Sequence, residues 1–188
     1  SSVRTSMIRM MVSQSVDPTD MIFAGPSDFS TACDDLTVER PNCVFHPGGG
    51  GATKTNVPAD MMTGATAGEW YFSANYEIVD IGTSDPAASD AGNDIIAFLP
   101  GITGGLCDKI NEELGIDDST PADVTSAADW DVIAAARQMD DAAYWATVST
   151  ETDIIGDADT PGLAGQAFGC LTDSAVSYTH LTLPTNPE

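Results

Sequence analysis

The stretch NDIIAFLPGITGGLCDKINEELG, residues 93–115, decides the fold because it predicts a buried strand followed directly by a helix. Residues 93–99 are rich in isoleucine, phenylalanine and leucine, which is typical of a strand. Residues 104–114 predict a helix, since an apolar residue recurs at every fourth position and the pattern stops at Gly115, a common C-terminal cap. The apolar stripe consists of Leu106, Ile110 and Leu114. Cys107 lies beside the stripe, and we expect it to face inward.

Aromatic and β-branched residues upstream of this stretch predict two more strands. They occupy residues 69–72 and 76–81, and Ser73-Ala74-Asn75 between them is typical of a hairpin turn. A last strand is expected to begin near Gly169-Cys170-Leu171. Neighbouring strands joined by a tight turn pair antiparallel, so the pattern predicts an antiparallel sheet.

The N-terminal part of the chain predicts one short helix and a long loop region. Apolar residues recur every fourth position at Val3, Met7 and Met11. The Asp17-Pro18 pair then ends the helical pattern, because a residue before proline is biased away from the helical conformation. Residues 24–68 are rich in Gly, Pro, Ser, Thr and Asp and predict loops. Because the chain opens with Ser1 and not Met, we expect that the natural start lies upstream.

The cysteine content favours an exported, disulfide-bonded domain. The chain has four cysteines, Cys33, Cys43, Cys107 and Cys170. An even number without the spacing of a zinc or redox site is typical of structural disulfides, which form in oxidising compartments. Four cysteines allow three connectivities. A bond between the two that lie ten residues apart would close a small loop within the loop-rich region.

The net charge is strongly negative and unevenly distributed. Of the formal charge of −23, residues 1–54 carry −2 and residues 55–188 carry −21. Such a surface repels nucleic acid and anionic lipid, so we expect neither as a partner. No stretch approaches the about 20 apolar residues that a membrane span needs. A solvated surface suited to a salty medium explains the charge, and divalent-cation binding is the alternative.

Calcium is the one cofactor that the acidic residues could hold. Two groups of aspartates are candidates: Asp153, Asp157 and Asp159, and Asp85, Asp90 and Asp94. Neither group has the spacing of an EF-hand loop, so we interpret each group as a solvated loop and keep calcium binding as the alternative. A secreted calcium-binding or adhesive module is therefore an alternative function.

No motif in the sequence indicates catalysis. A nucleophilic hydrolase needs a histidine base, and the chain has only His46 and His180. We interpret His46 as a polar residue at the end of a strand. The glycine run that starts at Gly48 precedes Lys54-Thr55 without the spacing of a phosphate-binding loop, so we interpret it as a flexible loop. A hydrolase with an unrecognised site is the second alternative.

Several segments together resemble the globular part of a type IV pilin-like (prepilin-type or pseudopilin) protein. They are MIRMM (7–11) with VDP (16–18), CVFHPGGG (43–50), NDIIAFLP (93–100), LCDKIN (106–111) and GC (169–170). The resemblance implies a precursor whose leader is cut ahead of a long hydrophobic helix. Residues 1–15 would be the distal end of that helix, with Met7 and Met11 packed against the sheet. The leader and the hydrophobic half are absent from this sequence.

The resemblance implies a function as well as a fold. It predicts a non-catalytic subunit of a type IV pilus or a type II secretion pseudopilus, which binds other subunits and the membrane through the missing helix. The protein would be anchored in the inner membrane and then lie in the periplasm or in a cell-surface filament. We favour an α+β fold over residues 1–175 as a single domain, in which the N-terminal helix packs on an antiparallel sheet. The favoured disulfides join Cys33 to Cys43 and Cys107 to Cys170.

The last residues differ in character from the rest of the chain. The sequence VSYTHLTLPTNPE, residues 176–188, looks like translated adaptor or vector sequence of the kind found at the ends of reading frames in environmental assemblies. We therefore expect these residues to be a non-native tail. The family pattern places a closing strand after Gly169-Cys170, and we expect that foreign sequence replaces it.

Overall fold

A computed structural model defines helices and strands in two parts of the chain. It describes residues 2–34, 39–58, 60, 62–64, 68–82, 94–116, 123–124, 138–140, 153–156, 160–173 and 177–183. The elements in chain order are α1 (Val3–Gln14), a 3₁₀ turn (Pro18–Asp20), α2 (Phe29–Ala32), a 3₁₀ turn (Arg40–Asn42), β1 (Tyr71–Ile78), β2 (Asp94–Ile102), α3 (Gly104–Leu114), β3 (Asp123–Val124), β4 (Asp153–Ile155), a 3₁₀ turn (Pro161–Leu163), β5 (Phe168–Asp173) and β6 (Ser177–Leu183). Helices and a sheet together make this an α+β protein. Within the described ranges, no helix is long and apolar enough to cross a membrane.

The chain divides into two compact units. The N-terminal unit comprises residues 1–55 and 135–148, and the sheet unit comprises residues 56–134 and 149–188. Each unit has its own buried residues, which are described separately below. The expectation of a single domain over residues 1–175 stays a prediction.

Helix α1 opens the N-terminal unit and agrees with the predicted helix. The Ser2 hydroxyl caps its first turn by accepting the Thr5 N–H at 3.3 Å. The helix ends at Ser15, whose left-handed conformation (φ 57°) lets its N–H bond to the Met10 carbonyl. Met7 and Met10 are fully buried, whereas Met11 is half-buried. Met7 is therefore buried, but the second fully buried methionine is Met10 and not Met11. Packing of these residues against the sheet stays a prediction.

The sheet unit contains a mixed sheet of six described strands. Their order is β3-β5-β6-β2-β1-β4. The pairs β1–β2, β2–β6 and β5–β6 are antiparallel, whereas β1–β4 and β3–β5 are parallel. The prediction of an antiparallel sheet is therefore wrong at both edges. The edge strands are not joined to their neighbours by tight turns, and a long connection permits parallel pairing.

The predicted hairpin at residues 73–75 is a β-bulge inside the single strand β1. Ser73 lies opposite Ile96 and Tyr76 lies opposite Asp94, so two residues of β1 face one residue of β2. The Ser73 hydroxyl accepts the Asn75 N–H at 3.2 Å, which holds the extra residue in place. Serine and asparagine favour such local hydrogen bonds in turns and bulges alike, and this explains why the sequence indicated a turn.

Strand β2 and helix α3 follow the predicted order, and α3 has the predicted bounds. Gly115 ends α3 in the left-handed conformation (φ 71°), and its N–H bonds to the carbonyls of the last turn. Cys107 and Asn111 are the buried residues of the helix, whereas Leu114 is 42% exposed. The inward position of Cys107 is confirmed. The most buried face of α3 therefore contains Cys107 and Asn111, whereas the sequence predicted a face formed by Leu106, Ile110 and Leu114.

The core of the sheet unit is built on β1 and β2. The rings of Tyr76 and Phe98 lie on these neighbouring strands with centroids 4.8 Å apart. Around them pack the buried residues Ile78, Ile96, Ile116, Ile155, Leu163 and Leu171. Every residue of β2 is buried, as expected for a strand with neighbours on both sides and both faces covered.

Residues 177–183, which the sequence predicts to belong to a non-native tail, form β6. This strand lies between β2 and β5 and pairs antiparallel with both. Strand pairing uses main-chain hydrogen bonds, which do not depend on particular side chains. Threonine, tyrosine and leucine also suit a strand, and the segment is rich in them. The foreign origin of residues 176–188 stays a prediction. Whatever their origin, residues 177–183 form the strand that follows β5 in the sheet.

Candidate functional site

The Cys33–Cys43 disulfide organises the N-terminal unit. Its two residues are separated by 10 positions, their Cα atoms lie 6.3 Å apart and both side chains are fully buried. Ile22, Ala24 and Ala32 pack around the bond. This is the pairing that the sequence favours for the loop-rich region. The bond supplies a small core in a segment with little regular structure.

The glycine run beside this disulfide is a packed turn, in contrast to the predicted flexible loop. A Cβ on Gly49 would lie 2.3 Å from the Cys43 carbonyl oxygen, and one on Gly50 would lie 2.3 Å from the Val44 carbonyl oxygen. Gly50 donates its N–H to the Cys43 carbonyl at 2.9 Å. Only glycine allows the backbone to approach this closely. The run therefore packs closely against the backbone of residues 40–44.

Arg9 and His46 complete this turn. The Arg9 guanidinium donates hydrogen bonds to the carbonyls of Gly49 and Gly50, which joins α1 to the glycine turn. The Nδ1 atom of His46 accepts the Gly48 N–H at 2.9 Å, and its ring packs edge-on against Phe29 with centroids 4.8 Å apart. Both side chains therefore have structural contacts in the turn. The second histidine, His180, lies in β6, where side chains are not described.

The Cys107–Cys170 disulfide joins α3 to β5 in the sheet unit. Its residues are separated by 63 positions, their Cα atoms lie 5.3 Å apart and both are fully buried. Leu99 and Ile102 of β2 are the buried residues that pack beside the bond. The structure therefore contains both disulfides of the favoured connectivity, and the four cysteines fall into two separate clusters.

Asn111 reinforces the same junction by acting as a substitute for a neighbouring strand. Its side-chain Nδ2 donates to the Cys170 carbonyl at 2.8 Å, and its Oδ1 accepts the Cys170 N–H at 2.8 Å. An amide side chain offers one donor and one acceptor side by side, as a peptide group does. Asn111 thereby satisfies both backbone groups of Cys170 in a buried setting.

Two buried carboxylates, Glu77 and Asp94, lie on neighbouring strands of the sheet. Each of the two residues is 3% exposed. Asp94 accepts the Ile78 N–H through Oδ2 at 3.0 Å, so it holds β1 at the point where that strand ends. Burial raises the pKa of Asp94 to about 6, the hydrogen bond from Ile78 opposes this rise, and the negative charge of Glu77 adds to it. Among the residues that the structure describes, none forms a hydrogen bond with the Oε2 atom of Glu77.

The predicted calcium sites are not assembled by the described residues. Asp85, Asp90, Asp157 and Asp159 lie outside them, and the side chain of Asp153 is not described. Asp94 is described, and its carboxylate is bonded to the backbone of β1. In the part of the chain that the structure covers, no group of three or more His, Cys, Asp or Glu side chains could hold a metal ion. Calcium binding stays a prediction.

Sequence reasoning missed the residues with the most specific contacts. The glycine run offered a signal, since several adjacent glycines indicate close backbone approach as readily as a loop. Asn111 offered a weaker one, since it lies four positions after Cys107 and therefore on the same face of α3. Glu77 offered none, because a single acid in a chain with 29 acidic residues is not distinctive.

No family model, curated protein or solved structure matches this chain.

Proposed function

We propose that this protein is an exported, non-catalytic structural subunit of the type IV pilin-like class, which assembles into a pilus or a secretion pseudopilus. The observation that carries the proposal is the pair of buried disulfides, each of which holds a separate part of the chain. Structural disulfides form and persist outside the reducing cytoplasm, and this supports an extracytoplasmic location. The segment resemblance described above supplies the family.

The contacts of the described residues also support a structural function. Arg9 and Asn111 each donate to backbone carbonyls, and Asn111 also accepts a backbone N–H. Polar side chains that bond to the backbone in this way stabilise the folded structure. The pilin resemblance requires that the N-terminal helix packs on the sheet, and we include this packing in the proposal. In a filament, α1 would continue an upstream hydrophobic helix through which subunits associate.

The decisive experiment is to express the reading frame with its upstream sequence, together with a prepilin peptidase. We expect a short basic leader, cleavage of that leader and about 20 apolar residues immediately after the cut. We also expect filaments that can be sheared from cells and that contain this chain. An upstream frame that encodes no hydrophobic helix would contradict the proposal.

The state of the cysteines gives an independent test of export. We expect protein recovered from the periplasm to carry no thiol that can be alkylated before reduction, and all four cysteines to react afterwards. The same chain produced in a reducing cytoplasm is the control. Reactive thiols in the periplasmic protein would contradict an extracytoplasmic, disulfide-bonded subunit.

A further inference from the structure

Cys107 and Asn111 both contact Cys170 from the same face of α3. They are the buried residues of that helix and lie four positions apart, so one is placed above the other. Cys107 bonds to the side chain of Cys170, whereas Asn111 forms two hydrogen bonds with its main chain. The helix therefore holds Cys170 twice, once by a covalent bond and once by hydrogen bonds that do not involve sulfur.

Asn111 bonds to the edge of β5 that faces away from β6. The N–H and the carbonyl of one strand residue point toward the same edge, and both groups of Cys170 point toward Asn111. β6 pairs with the opposite edge, where the Cα atom of Thr179 lies across from that of Cys170. The main chain of β5 is thus held from both edges at the position of the cysteine.

Both α3 and β5 are attached to β2 by contacts other than the disulfide. β2 ends at Ile102 and α3 begins at Gly104, so a single residue joins them. On the other side, β5 pairs with β6 over residues 168–172, and β6 pairs with β2. The sheet therefore places the helix and the strand beside each other through main-chain hydrogen bonds and a short connection.

The surroundings of the disulfide also suit reduced cysteines. The Sγ atom of Cys107 lies 3.8 Å from the Leu171 carbonyl oxygen. In the disulfide this sulfur carries no hydrogen, but a thiol at the same place can donate a weak hydrogen bond to that carbonyl. Neutral thiols are among the groups that proteins bury most readily. The reduced pair can therefore occupy the closed junction without burying a charge.

We propose that Asn111 selects the disulfide partner of Cys107, because its hydrogen bonds hold Cys170 against α3 in the reduced protein before the covalent bond forms. The Cα atoms of the two cysteines lie 5.3 Å apart, which is within the ordinary range for a disulfide. Closing the junction thus brings the thiols to bonding distance. The selection goes beyond the structural function proposed above and does not depend on it.

The oxidant in this proposal is a small-molecule disulfide, such as oxidised glutathione. While the junction is open, one cysteine thiolate attacks a sulfur of the oxidant, forms a mixed disulfide and releases one glutathione thiolate. When the junction closes, the other cysteine attacks the protein sulfur of the mixed disulfide and releases the second glutathione. The two protein thiols lose two electrons and two protons, and the oxidant gains them as two thiols. Asn111 favours the closing step, because it raises the effective concentration of one cysteine at the other.

The first test measures the equilibrium of each disulfide with glutathione. The full chain is incubated in mixtures of reduced and oxidised glutathione, free thiols are blocked, and the peptides are quantified by mass spectrometry. We expect Asn111→Ala to lower the equilibrium constant of Cys107–Cys170 about 30-fold, because two hydrogen bonds that favour closure are lost. The constant of Cys33–Cys43 should not change.

Glu113→Ala is the matched control for this test, because it removes an exposed side chain from the same helix. It should change neither equilibrium constant. An unchanged constant for Cys107–Cys170 in Asn111→Ala would overturn the proposal. An equal fall in the constants of both disulfides would also overturn it, because the substitution would then act through general destabilisation.

The second test observes the hydrogen bonds without the disulfide. In the double variant Cys107→Ala, Cys170→Ala, NMR should show the amide at position 170 protected from hydrogen exchange, as Asn111 accepts its N–H. Adding Asn111→Ala should remove this protection and leave the amide of Gly169, which pairs with β6, protected. Rapid exchange at position 170 in the double variant would overturn the proposal. So would an unfolded double variant, because the junction would then depend on the covalent bond.

Discussion

The two units of the molecule are both cross-linked by one disulfide, but they use it differently. In the N-terminal unit, Cys33–Cys43 closes a loop of 10 residues, and the glycine turn follows Cys43 along the chain. In the sheet unit, Cys107–Cys170 spans 63 residues and joins a helix to a strand. A cross-link restricts the unfolded chain more when it closes a longer loop. We therefore expect the sheet unit to depend on its disulfide more strongly than the N-terminal unit does.

Removal of the long-range disulfide should have the largest effect. In the chain-entropy description, a bond across 63 residues contributes about 4.3 kcal/mol to the free energy of unfolding. We expect the double variant Cys107→Ala, Cys170→Ala to lose about this amount, measured by chemical denaturation. A loss of stability no greater than that caused by removing the short-range bond would contradict the stronger dependence of the sheet unit on its disulfide.

Removal of the Asn111 side chain should have the second largest effect on stability, because its hydrogen bonds join α3 to β5 at the same place as the long-range disulfide. Asn111→Ala leaves the buried N–H and carbonyl of Cys170 without their described partner, which should cost about 3 kcal/mol in the free energy of unfolding. Glu113→Ala, at an exposed position of the same helix, is the control. An equal, small effect of both substitutions would show that water replaces the amide at no cost.

Removal of the short-range disulfide should cost less than removal of the long one. A loop of 10 residues corresponds to about 2.7 kcal/mol in the same description. The double variant Cys33→Ala, Cys43→Ala should therefore remain folded, with hydrogen exchange increased mainly in the N-terminal unit. An equal increase of hydrogen exchange in β1 and β2 would show that the short-range disulfide also stabilises the sheet unit.

The glycine turn should give the smallest of the four effects. Gly50→Ala places a methyl group against the Val44 carbonyl oxygen and should cost about 2 kcal/mol, because the backbone must shift to admit it. Gly104→Ala is the control, since a Cβ there meets no atom within 4 Å. Equal melting temperatures of the two variants would favour the flexible loop that the sequence predicted.

The sequence predicted elements whose signal is periodic and local. β2 and α3 follow from apolar spacing and a glycine cap, so the order of strand and helix at residues 93–115 was correct. The bulge at Ser73 was not distinguishable from a turn, because the same local hydrogen bonds occur in both. The pairing of Asn111 with Cys170 depends on residues 59 positions apart, and no periodic pattern reports such a contact.

The role of the buried acid Asp94 also could not be predicted from the sequence. Asp94 was predicted as a calcium candidate from the density of aspartates around it, whereas its described partner is the backbone of β1. Proximity along the chain indicated a loop cluster, but the pairing of strands placed the Cα atom of Asp94 opposite that of Tyr76. The hydrogen bond between Asp94 and the Ile78 N–H depends on the sheet register, and register is set by tertiary contacts.

The order of the two disulfides along the chain has a consequence for how the protein could acquire them. The first cysteine pairs with the second and the third with the fourth. If the chain crosses a membrane N-terminus first, an oxidase that joins each cysteine to the next one to emerge would produce the native set. Such a protein would form its native disulfides without a disulfide isomerase, and this step would require only an oxidase in an oxidising compartment.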